Sequence, residues 1–102
     1  MQQPWPDPPC PTADWDEIVA YADRVDGYGR AGSFETCMAV AAAVDEEFRR
    51  TGEFPRDAGA LALAVFVAVR RYRMVGSPDG TGMDHLRTLL GALADLQVTR
   101  AA

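Results

Sequence analysis

A chain of 102 residues makes one domain, large enough for a real core and small enough that self-association would add to its stability. Its 48% hydrophobic and 25% charged residues exclude a disordered chain, and a net charge of −5 excludes nucleic-acid binding through a general basic surface. All ten basic residues are arginine, which with the abundant alanine and glycine is the signature of a GC-rich genome.

Residues 1–13 carry five prolines, a density that forbids helix and predicts an extended arm, with Trp5 placed to pin it onto the rest of the chain. The opening MQQPWPDPPCP lacks both the basic start and the apolar core of a secretory signal. No apolar run reaches the roughly 20 residues that span a bilayer, so a soluble, cytoplasmic protein with no membrane contact is expected. Cys10 and Cys37 have no metal-ligand spacing around them and are expected as reduced thiols.

The remaining chain, 14–99, reads as a single helical domain. The first helix is predicted over 14–26. Asp14 and Glu17 form a capping-box arrangement, and Trp15, Ile18, Val19, Ala22 and Val25 make an apolar stripe with Tyr21 at its edge. The second is predicted over 33–51, capped by Ser33 and stopped by Gly52 and Pro55. Its apolar face combines Phe34, Cys37, Met38, Val40, Ala41, Val44 and Phe48, and Asp45–Arg49 and Glu46–Arg50 are spaced as ion pairs. The third, predicted over 57–75 behind an Asp57 cap, contains AGALALAVFVAV from Ala58 to Val69, with no charged or hydrogen-bonding side chain. A strand is the rival reading of AVFVAV, but the uninterrupted length and the Ala/Leu-rich start favour helix. The fourth is predicted over 82–98, with Met83, Leu86, Leu89, Leu90, Leu93 and Leu96 in one stripe and fraying expected from Thr99.

Short loops favour antiparallel neighbours, so the expected fold is an all-α, antiparallel four-helix bundle-like domain with a central apolar helix 3 and a proline-rich N-terminal arm. A helix that is apolar all round needs a covering on every side. Either the arm supplies it or a second copy does, and the expectation is a two-fold dimer through Leu63, Phe66 and Val67.

GYGRAG, Gly27 to Gly32, matches the dinucleotide pattern G-x-G-x-x-G, but a helix stands before it where a strand is required, so it reads as an interhelical turn. An alternating bundle gathers both glycine-rich loops at one pole, together with Arg30, Arg70, Arg71, Arg73 and the single histidine, His85. Two helix N-termini at that pole make it a candidate site for a phosphate or carboxylate, opposed by Asp23, Asp26, Asp79 and Asp84. Asp45 falls inside the apolar stripe of helix 2, where a carboxylate must be paired or protonated; pairing with Arg49 is the simpler reading. One histidine excludes a histidine-rich zinc site, and no acid/base or nucleophilic constellation can be assembled, so no enzyme activity and no cofactor are expected. The leading expectation is a non-enzymatic protein-interaction module, homodimeric and binding another protein with a basic surface, in the manner of an immunity protein or antitoxin that masks a toxin. The alternative is a sensor of a small anion at the loop pole.

Overall fold

At 100° per residue the side chains of Ala58–Val69 point all round their axis, and the chain itself encloses most of them. A computed structural model describes the backbone of residues 5–27 and 32–101, and the side chains of 5–27 and 32–96. It is all-helical: α1 spans Trp15–Gly27, α2 Phe34–Thr51, α3 Ala58–Arg73 and α4 Gly80–Ala101. Among the described residues there is no strand.

The helix starts follow local chemistry. Asp14 accepts a hydrogen bond from Glu17 N at 2.9 Å, Ser33 from Thr36 N at 3.2 Å and Asp57 from Ala60 N at 3.2 Å, as their sequence positions predict. The fourth cap lies earlier than expected. Asp79 accepts from Gly82 N at 2.7 Å, so α4 begins at Gly80, and it continues to Ala101 through the stretch expected to fray. Gly52 ends α2 in the left-handed conformation at φ 79°, its N–H on Phe48 O, where a side chain would be strained. α3 stops at Arg73, short of the predicted Val75. Val75 N turns back to Tyr72 O and Gly76 N to Arg73 O, and Met74 and Val75 are left exposed.

The packing has a hub. α3 lies against each of the other three helices, whose backbones do not pack closely on one another among the described residues. Leu61, Ala62 and every residue from Ala64 to Val69 are buried. Polarity follows from three contacts at one pole. Arg73 reaches Asp23 near the end of α1, Phe66 and Arg70 meet Phe34 at the start of α2, and the Tyr72 ring lies over Gly82 at the start of α4. Thus α1 runs parallel to α3, and α2 and α4 run antiparallel to it, the alternation expected of the bundle.

Three details differ from the expected faces. Tyr21 is fully buried rather than at an edge. On α2 the buried line is Cys37, Ala41 and Val44, while Met38 and Phe48 are 38% and 36% exposed, because one hub helix covers a narrower strip than two neighbours would. The surface ion pairs form one residue closer than predicted, Glu46–Arg49 at 3.1 Å and Glu47–Arg50 at 3.7 Å. Asp45 is thereby released from Arg49 and pairs instead with α4.

Candidate functional site

Three helices placed round a fourth leave three clefts between them. The first, between α1 and α4, is closed by the N-terminal arm. Arg87 of α4 donates from Nη1 to Pro11 O at 2.9 Å and Ala13 O at 3.0 Å, and Pro6 is buried. The Trp5 indole lies so close to Gly59 that a Cβ there would stand 3.0 Å from its Nε1. The arm is a strap. It supplies part of the cover that helix 3 was expected to need.

On the side of the second cleft, a hollow of about 220 Å³ lies between α1 and α3. Its back is Ala22, Phe66 and Val69, and its rim is Asp23, Asp26, Arg70 and Arg73. Arg73 Nη1 donates to Asp23 Oδ1 at 3.0 Å, both side chains being more than half exposed, so the pair contributes little to stability. The Arg70 guanidinium carbon sits 4.8 Å above the centre of the Phe34 ring.

The third cleft, between α2 and α4, holds two separate hollows over α3. Towards the loop pole it contains a hollow of about 110 Å³ floored by Ala41, Ala64, Val67 and Ala68 and rimmed by Asp45, Arg71, Tyr72 and His85. His85 Nε2 stands 3.6 Å from Asp45 Oδ1, an ion-pair distance too long for a hydrogen bond, and the two side chains span the cleft. Among the described residues no serine, threonine or cysteine lines this hollow. Beyond it, at the far pole, the cleft widens to about 490 Å³, walled by Phe48, Phe54, Leu61, Ala92 and Leu96. Phe48 and Phe54 stack there with ring centres 4.3 Å apart and planes 12° from parallel.

The basic residues expected to converge at the loop pole therefore divide. Arg70 and Arg73 face α1, and Arg71 and His85 face the α2–α4 cleft. At 100° per residue Arg71 and Arg73 are about 200° apart and point to opposite sides of α3. Arg30 and most of the GYGRAG turn lie outside the described residues. The helix N-termini at this pole are already engaged by Ser33 and Asp79, and Asp79 puts a carboxylate where an anion would bind. Of the residues expected at a dimer interface, Phe66 and Val67 are 7% and 2% exposed within one chain, leaving Leu63, half-buried, as the one with surface for a neighbour.

The cysteines are chemically unlike. Cys37 is buried, and burial pushes its thiol up. Exposed Cys10 is 3.1 Å from the Thr12 hydroxyl, and that hydrogen bond draws its thiol below the ordinary value. Among the described residues no cluster of three histidine, cysteine or acidic side chains is placed to hold a metal ion, and no helix is long and apolar enough to cross a membrane. Sequence reasoning missed the Phe48–Phe54 stack and the wide end of the open cleft. The available signals were a phenylalanine in the short loop after α2 and the small pair Gly91–Ala92 beside the leucine stripe. Compared with protein-family models, characterised proteins and solved structures, the chain matches none.

Proposed function

We propose that this chain is a non-catalytic interaction module whose open cleft takes an amphipathic helix from another protein. The observation that carries the reading is the unfilled seat between α2 and α4. Its two hollows together reach from Tyr72 to Leu61 along α3, a span of about 17 Å or three helical turns, with Asp45 and His85 facing across one, small side chains for its floor and a phenylalanine stack in the other. Helix-in-groove recognition needs this shape, anchored by large apolar residues one and two turns apart. The −5 charge of the chain favours basic flanks on the visiting helix, in keeping with the immunity- or antitoxin-like reading. A second copy in the same seat would bring a further −5, and like-charge repulsion works against it.

Selection from a displayed library of amphipathic helices tests the proposal, followed by anisotropy titrations at low and high salt. Basic-flanked helices should be enriched and should lose affinity as salt rises. Phe48→Asp and Ala92→Arg should each weaken them about tenfold or more. No enrichment, or equal binding by both variants, sinks the helix seat. A dimer by light scattering that Phe48→Asp dissolves would overturn the foreign partner in favour of a second copy.

A further inference from the structure

We propose that the hollow between α1 and α3 binds a small zwitterion, an α-amino acid with an apolar side chain. The site is separate from the helix seat, and each can fail alone. Two carboxylates, Asp23 and Asp26, stand one turn apart on α1, and two guanidinium groups, Arg70 and Arg73, stand one turn apart on α3. An anion entering this hollow meets the aspartates, and a cation meets the arginines. A molecule carrying both charges on neighbouring atoms meets a partner for each.

The four are not all committed to one another. Arg73 holds Asp23, but among the described residues neither Arg70 nor Asp26 is in an ion pair. Arg70 is oriented from below by the Phe34 ring face, which leaves the edge of its planar fork for a carboxylate. Asp26 faces it as the acceptor for an ammonium group. The back of the hollow is apolar, with Val69 on α3 and Ala22 on α1 buried in the core and the edge of Phe66 on α3 reaching its surface. That surface suits the side chain of the ligand. The volume, about 220 Å³, exceeds the roughly 150 Å³ cavity known to admit benzene and suits the nine heavy atoms of leucine.

Calorimetry and isotope-edited NMR of the full chain with leucine, leucinamide and N-acetyl-leucine decide the matter. Leucinamide keeps only the cation and N-acetyl-leucine only the anion. Saturable leucine binding is expected, with both analogues weaker by about tenfold or more. Arg70→Gln and Asp26→Asn should each cause a similar loss, whereas Phe48→Asp in the helix seat should cause none. Both substituted side chains are exposed, and the analogue series on the unaltered protein stands even if a variant misfolds. No saturable leucine binding, or an analogue that binds as well as leucine, overturns the proposal.

Discussion

Tyr21 buries its whole side chain on α1, and among the described residues its hydroxyl has no hydrogen-bond partner. Burial raises its ionisation well above the ordinary phenol range, because a phenolate there would be stripped of water. The consequence for stability has a definite sign. Below about pH 10 the phenol is neutral in both the folded and unfolded chain; above that, the unfolded chain ionises and the folded one does not, so stability falls. Tyr21→Phe removes an unpaired hydroxyl and this titration together. At neutral pH the variant should equal the parent or exceed it by up to about 1 kcal/mol. Its advantage should grow by as much as about 1.4 kcal/mol per pH unit above 10, measured as urea midpoints. A variant less stable than the parent at both pH values would show that the hydroxyl has a partner after all. The sequence could place Tyr21 beside the stripe, but whether an edge residue is covered depends on what packs there, and that is a tertiary property.

At the scale of elements, the arm and α4 are joined by one side chain. Arg87 bonds two carbonyls of the strap, and neither partner could be read from spacing, since they lie 76 and 74 residues away. Arg87→Met should release the strap with little change in α4 itself. The expected cost is about 1–2 kcal/mol, since a charge-assisted pair is lost but the freed carbonyls can reach water. In a Trp15→Phe background, Trp5 fluorescence should move to the red as its indole leaves Gly59. An unshifted spectrum with full loss of stability would mean that Arg87 acts within the core instead. Three of the four caps, Asp14, Ser33 and Asp57, were legible because capping is a contact over three residues. Asp79 escaped for a local reason: Gly80 and Gly82 resemble a loop, and the start of α4 was placed after them. Asp45 escaped for a distant one, because His85 on α4 is its partner and Arg49 is not.

For the whole molecule the hub arrangement makes α3 common to every packing surface. Removing volume there should weaken all three contacts at once. Leu61→Ala is expected to cost about 2–5 kcal/mol, whereas half-buried Leu63→Ala should cost distinctly less. Hydrogen exchange should separate the helix from its neighbours: amides in the middle of α3 should exchange only through global unfolding, and those of α4 beyond Leu96 much sooner. If central α3 amides exchange as fast as those at the end of α4, the hub is not the cooperative centre of the fold.

An apolar run longer than a usual strand, closed by arginines and flanked by three amphipathic segments, pointed to a helical chain with α3 inside. Hydrophobic burial is roughly proportional to apolar area, so the pattern of that area along the chain decides which helix must be covered. The pattern does not decide by what. Covering α3 with the chain's own arm and helices, and leaving hollows between α2 and α4, followed from the rotation of each helix about its axis. Those rotations are set by contacts between residues far apart in sequence, which no local spacing contains.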